Sequence, residues 1–470
     1  MTTSLRGLDG VGWAEVNAVT GQVLLAFDER RVALDRLMDT VKAVEEAQGV
    51  QDEDFAWAQP VTPGDDAPVA AVVTELLVDC AAVAAGVVQR VLRLPPLPRA
   101  VPAAVATLEL EQELRRRLMR RIGLVQTDVL LSLAGATVNG LCAGIGMPAV
   151  DAVNRLLLGE IRARHQVWGR REKDLCSGPD CVPHTRPTRH LRARARPSGP
   201  VEQWEERLAP FAPLTAAAVL ALRGSPGRAA DALLATVPRA ARYGREAFAA
   251  TTGRQLARRD VVPLDPSVLR LLDTVSAVVI DSAVLDSRQA PQGGRPDSLA
   301  VPLLAAARST GAHVLLTDAE HIHDLLAPTD QFLAPGERLA DRVCALRDQG
   351  EGVLVVSGAD AEALAAADIA VAIPDAPGAE ASWSADLVCP DGLEDAWRIL
   401  RAVPAARAVS ARSVQLALAG SAAGTLLALV GPKRGVFHAL TPVHAASLLA
   451  LLWAATTAHR TTRSEPSVEP

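Results

Sequence analysis

Aromatic residues are scarce. They make up 3% of the 470 positions, with a single tyrosine, yet apolar residues reach 49%. The apolar bulk is therefore alanine, valine and leucine, which builds helices of moderate rather than intense hydrophobicity. Lysine is nearly absent, so the positive charge is almost all arginine, a compositional bias rather than a functional signal. The chain is not basic: its net charge of −6 gives no footing for nucleic-acid binding. Its six cysteines (Cys80, Cys142, Cys176, Cys181, Cys344 and Cys389) are scattered, which excludes a disulfide framework and predicts an intracellular or membrane-embedded chain. No apolar stretch follows Met1, so no secretory leader is expected.

Long uncharged runs occur in few places. Ser413–Pro432 and Gly435–Ala458 contain no Asp, Glu, Lys or Arg, and Lys433 and Arg434 lie between them. Two such runs with a tight connection predict a helical hairpin in a bilayer. Residues 129–150 are also free of formal charge and long enough to cross. Residues 67–92 are apolar but carry Glu75 and Asp79, which argues against a crossing. The basic run Arg115–Arg121 belongs on the cytosolic side by the positive-inside rule. A mean hydropathy of +0.17 alongside 22% charged residues fits membrane segments mixed with polar ones.

Residues 12–27 read as two strands joined at Thr20-Gly21, and 33–46 as a helix, the second half of a small ferredoxin-like module. Residues 51–66 are acidic with Pro and Gly, as in a linker. Residues 162–200 are rich in Arg, Pro and His and read as irregular. Within them Cys176, Cys181 and His184, with His190 nearby, offer soft ligands for zinc, the alternative being unpaired loop thiols. Residues 229–259 have a helical period with Pro238 inside, which predicts a kink. Arg239, Arg242 and Arg245 follow at helical spacing; they would line a cation path poorly and would suit lipid phosphates.

From residue 275 the pattern changes to strands alternating with helices, which implies a parallel sheet with helices on its faces. The run Val278-Val279-Ile280 ends in Asp281, as when a buried parallel strand carries a carboxylate to the carboxyl edge of a sheet. Later strands are His313–Leu316 before Thr317-Asp318, Gly352–Ser357 before Gly358-Ala359-Asp360, and Ile369–Ile373. Two or three carboxylates at one edge suit a hard cation, which makes Asp281 and Asp360 Mg²⁺ candidates. Arg338 could hold an anion through two hydrogen bonds.

The order Asp281, Thr317-Asp318, Arg338, Ser357-Gly358-Ala359-Asp360 and then a membrane hairpin resembles the P-type ATPase family, whose phosphorylation domain has the haloacid-dehalogenase fold. The strongest match is the run Asp360 to Ile373 (DAEALAAADIAVAI), where the family reads G-D-G-x-N-D-A-P-A-L and then A-x-A-D-x-G-I-A-I. The resemblance covers roughly residues 205–460 and is closest to the degenerate half of long actinobacterial cation-ATPases. It implies that Asp281 stands at the phosphorylated aspartate, with Ser282, Ala283 and Leu285 in place of the lysine and threonines of D-K-T-G-T. Thr317-Asp318 then matches T-G-D without its glycine, Arg338 replaces a phosphate-contacting lysine, and Asp360 aligns with the second aspartate of the G-D-G-x-N-D motif. Val237, Pro238 and Arg239 would be the remnant of the transport-site motif that carries C-P-C in the heavy-metal subgroup. No T-G-E occurs between 150 and 205, and only about twenty residues separate Asp281 from the helix near Leu299, where the family places a nucleotide-binding domain.

The expected architecture is α/β plus membrane helices. It comprises a partial heavy-metal-associated ferredoxin-like remnant (1–50), a helical, partly membrane segment (51–160) and a loop in place of the actuator domain (161–205). Third and fourth core membrane-type helices (206–262), a degenerate phosphorylation domain (263–404), a membrane hairpin (405–460) and a disordered tail (461–470) follow. Removing several electrostatic partners from a phosphoryl-transfer site raises its barrier steeply. The resemblance therefore implies a catalytically degenerate ATPase-like protein of the cytoplasmic membrane, its phosphorylation-domain remnant in the cytosol. Its expected partners are the lipid bilayer and an intact P-type ATPase or other membrane protein, with no resident cofactor; Mg²⁺ enters only if activity remains. Two alternatives stand beside this one: a reduced but active cation transporter, and a membrane-tethered phosphatase. The phosphatase needs an acid two residues after the nucleophile, where Ala283 stands.

Overall fold

The computed structural model describes residues 11–17, 22–27, 147–175, 198–286, 296–317, 323–374, 383–431 and 438–466, a few positions within these apart, together with short pieces between 31 and 77. At the amino-terminal end β1 (Val11–Asn17) and β2 (Gln22–Phe27) pair antiparallel, in the expected hairpin. The helix expected over 33–46 and the segments 67–92 and 129–146 lie largely outside the described residues.

The chain then forms α1 (Met147–Leu175), α2 (Pro200–Leu208), α3 (Phe211–Arg223), α4 (Pro226–Ala235) and α5 (Arg239–Ala257). The α1 helix corrects the reading of 162–200 as irregular from its start. Its buried face contains polar residues, which hides it from a hydrophobic-period search. Glu160 and Arg164 are buried there beside Val167 and Trp168. Arg164 donates to the carbonyls of Pro263 at 2.8 Å and Leu264 at 2.7 Å, so its charge is satisfied by backbone. The helix also runs across the expected boundary at residue 160.

A second correction concerns residues 229–259. They form two helices, α4 and α5, rather than one kinked helix, with Thr236 and Val237 in the break. Two of the arginines after it are engaged within the protein. Arg242 pairs with Glu205 at 2.7 Å, and Arg245 pairs with Glu202, both on α2.

The second half is a seven-stranded sheet in the order β3-β9-β8-β7-β4-β5-β6. Its strands are β3 (Val262–Pro263), β4 (Ala277–Ile280), β5 (His313–Leu316), β6 (Gln331–Phe332), β7 (Val353–Ser357), β8 (Ile369–Ala372) and β9 (Leu387–Val388). All neighbours are parallel except β3 with β9. Every residue of β4 is fully buried, as continuous apolar runs require when both faces are covered. Val278, Ile280, Leu354 and Val356 face one layer of core, shared with the 3-10 helix Pro266–Thr274, α6 (Ala300–Ser309) and the start of the long helix that begins at Leu393. Val279, Val353 and Val355 face the other, shared with α7 (Leu339–Asp348), α8 (Ala361–Ala366) and the middle of α1. Short β6 and β9 escape sequence reading because two residues carry no period.

The carboxyl-terminal hairpin is α9 (Leu393–Val430) and α10 (Thr441–Arg463). Both are long and apolar enough to cross a membrane. The α9 helix extends the expected hairpin inward: it starts under the sheet, runs through Pro404 without ending, and is about 57 Å long at 1.5 Å per residue. The α10 helix runs three residues past the expected start of the tail. The two pack through small residues. A Cβ on Gly420 would lie 2.9 Å from Ala446 Cβ, and one on Gly424 2.7 Å from the Ala439 carbonyl oxygen. Glycines four apart let two helix backbones approach where apolar burial alone gives little drive. Arg228, at the start of α4, closes the far end of α9 by donating to the carbonyls of Ala428 at 2.9 Å, Leu429 at 3.1 Å and Gly431 at 2.9 Å. Those are carbonyls an α-helix cannot satisfy itself.

Candidate active site

Three parallel strands end side by side and carry the site. Asp281 follows β4, Thr317 follows β5, and Ser357 closes β7. Register places them level, because Ile280 pairs with both Leu316 and Val356. An open cleft of about 370 Å³ lies over this edge, and Asp281, Thr317, Glu337 and Asp360 line it.

The Asp281 carboxylate is held by three neutral donors. Its Oδ2 accepts from Ser357 Oγ at 2.7 Å, and its Oδ1 accepts from Thr317 Oγ1 and the Ala283 amide, both at 3.3 Å. The bond to Ala283 makes Asp281 the cap of the short 3-10 turn Ser282–Leu285. Ser282, at the position of the family's lysine, is buried and turned toward Thr317: its amide donates to Thr317 Oγ1 at 2.7 Å, and the two hydroxyls are 2.6 Å apart. Ser357 also accepts from the amides of Ala359 at 3.3 Å and Asp360 at 3.1 Å, so one hydroxyl links Asp281 to the loop that carries Asp360. Asp360 caps α8, its Oδ1 accepting from the Ala363 amide at 2.9 Å.

Arg338 is not part of this network. It is exposed and pairs with Glu362 on α8 rather than reaching over the cleft. Asp318 and Pro238 lie outside the described residues, as do Cys176, Cys181 and His184. Val237 and Arg239 flank the break between α4 and α5, where the Arg239 amide donates to the Val237 carbonyl at 2.8 Å.

A carboxylate offers about four lone-pair positions, and Asp281 has three in use. Among the described residues no group of three or more His, Cys, Asp or Glu is placed to hold a metal. Sequence reasoning missed the part played by Ser357, which sits at a strand end beside the aspartate, and it missed Glu337, whose Oε2 accepts from the Ala334 amide at 3.2 Å.

No protein-family profile matches the chain. Curated relatives do. Proteins named probable cation-transporting ATPase I from Mycobacterium tuberculosis (strain ATCC 25618 / H37Rv) and Mycobacterium leprae (strain TN) are 30% and 29% identical to it. Each alignment covers 88% of this chain and 33% of the relative. The chain thus spans about a third of the length of the curated relatives it matches. Two solved structures of a zinc-transporting PIB-type ATPase, captured in different states, are similar at 14% and 13% identity with TM-scores of 0.42 and 0.44. They cover 65% and 83% of this chain, and the chain covers 67% and 99% of theirs. By sequence, along 88% of its length, this chain is similar to proteins named cation-transporting ATPase, and its parallel sheet beside membrane-length helices is the architecture expected from the resemblance to P-type ATPases.

Proposed function

We propose that this chain is a catalytically degenerate P-type ATPase-like membrane protein that acts as a structural or regulatory unit for a membrane partner, such as an intact P-type ATPase unit. The observation that carries the proposal is the dressing of Asp281: three neutral donors, with Ser282 turned away into Thr317. Phosphoryl transfer needs the charge of the phosphate compensated in the transition state. The cleft instead gathers Asp281, Glu337 and Asp360, while Arg338 pairs elsewhere. Such a cleft repels nucleotide. The periodic core persists around it, as expected if packing rather than chemistry is retained. The sheet is assigned to the cytosol, with α9 and α10 in the cytoplasmic membrane.

The test is an acid-stable phosphoenzyme assay with labelled ATP on the purified chain in detergent. No signal is expected. Incorporation that disappears in Asp281→Asn overturns the proposal.

One observation favours the second reading, a reduced but active cation transporter: Asp281 and Asp360 still line the same cleft. That reading requires ATP hydrolysis stimulated by a transported metal ion.

A further inference from the structure

Away from the cleft, two buried carboxylate oxygens point at one place. Asp273, on the 3-10 helix leading into β4, is 6% exposed. Its Oδ2 accepts from Ser410 Oγ on α9 at 2.6 Å, while its Oδ1 is buried without a hydrogen-bond partner. Glu202, on α2, pairs with Arg245 through Oε1, and its Oε2 is likewise buried without one. The two orphan oxygens converge above Gly199. A Cβ built there would lie 2.8 Å from Glu202 Oε2 and 3.5 Å from Asp273 Oδ1. Only the missing side chain of Gly199 leaves that space open.

Two carboxylates whose charges raise one another's cost do not both ionise freely, and a buried oxygen without a donor costs more. One hydrogen resolves both problems. We propose that Asp273 and Glu202 hold a single proton between them, Asp273 Oδ1 donating to Glu202 Oε2, and that this proton fastens α2 to the junction of the sheet and the membrane-type helices.

The surroundings assign the proton. Glu202 stays ionised: burial opposes its charge, but the Arg245 guanidinium holds its carboxyl below the usual range. Asp273 is pushed above its usual range, first by burial and then by the Glu202 charge, against the pull of Ser410 and Arg245. One further charged group, Arg407, feels the Asp273 charge, while Arg242 and Arg270 are held by other carboxylates. Arg407 on α9 donates to the carbonyls of Val275 and Thr310. Arg242 on α5 binds Glu205. Arg270, on the same 3-10 helix as Asp273, turns to Glu160 and Glu246. A raised acid in the folded state stabilises below its unfolded pKa and loses that contribution as pH rises through its folded value. The fastening is therefore firm in acid and released in base. Val201 and Trp204, buried on the same helix, keep α2 docked by packing, so the proton adjusts the docking rather than creating it.

The test is hydrogen exchange of the peptide covering residues 198–210, on the full chain in detergent, corrected for the intrinsic pH dependence of exchange. As pH rises from the ordinary aspartate range to neutrality and beyond, protection should fall roughly tenfold in the wild type. In Glu202→Gln the carboxamide supplies a permanent donor, and protection should stay at its acid level throughout. Asp273→Asn should behave the same way. A flat wild-type profile overturns the proposal, as does an unchanged pH dependence in Glu202→Gln.

Discussion

Arg270 and Glu160 meet in two parallel hydrogen bonds, Nη1 to Oε1 at 2.9 Å and Nη2 to Oε2 at 2.7 Å. The same guanidinium reaches Glu246 at 3.0 Å and the Pro266 carbonyl at 2.9 Å. One side chain thereby ties the 3-10 helix to α1 and α5. Burial opposes its charge, and the two glutamates more than offset that, raising its pKa. Breaking a buried pair from one side leaves a charge stranded, which costs about 3–5 kcal/mol. Glu160→Ala should lower the thermal midpoint accordingly. The triple variant Glu160→Gln, Glu246→Gln and Arg270→Met should recover much of the loss, because removing all three charges leaves none stranded.

Ser357→Ala removes the shortest hydrogen bond to Asp281 and an acceptor for two loop amides. It should cost about 1–3 kcal/mol in unfolding experiments, the price of unsatisfied buried groups. Asp281→Asn should cost less, since the carboxamide oxygen can still accept.

Gly424→Leu should separate α9 from α10. The space above its Cα is closed by the Ala439 carbonyl oxygen at 2.7 Å and Ala235 Cβ at 2.9 Å. Backbone cannot move aside as a flexible side chain does, so a loss of at least about 1–3 kcal/mol is expected. Cross-linking between cysteines placed on the two helices would register it as a lower yield.

Leu426 on α9 and Leu452 on α10 are exposed apolar residues on the outer faces of these helices. Leu452→Arg, at the middle of α10, should reduce recovery of tagged chain in the membrane fraction, because arginine at a helix centre costs about 2.5–3.5 kcal/mol of insertion free energy. Recovery equal to wild type would count against a bilayer around these faces.

Asp330 predicts an acid limit. Burial works against its charge, but the Arg308 hydrogen bond outweighs it and holds the carboxyl below the usual aspartate range. A depressed acid stabilises above its unfolded pKa and loses that contribution as pH falls through the folded value. Stability should drop on acidification below the ordinary aspartate range, and Arg308→Met should flatten that part of the curve.

Much of the sheet was legible in the sequence. β4, β5 and β7 are buried apolar runs that end at Asp281, Thr317 and Ser357, and β8 is an unbroken apolar run, the pattern a buried parallel strand cannot avoid. Asp281, Thr317 and Ser357 could be placed at one edge for the same reason. The loss of Arg338 from the site was not legible: helix α7 begins at the next residue, and only the position of Glu362 on the neighbouring α8 shows where the guanidinium goes. The α1 helix was missed because its packed face is built from charges that find partners nearly a hundred residues away. No local window contains that information.

The length of α9 has a mechanical consequence. One helix joins the core layer under the sheet to the GxxxG contact with α10, with no loop between them to absorb a displacement. A tilt of about 5° at the sheet would sweep its far end by roughly 5 Å over a rod of this length. A shift of the sheet would therefore reach the packing of α9 on α10 undamped, as a lever is felt at its tip.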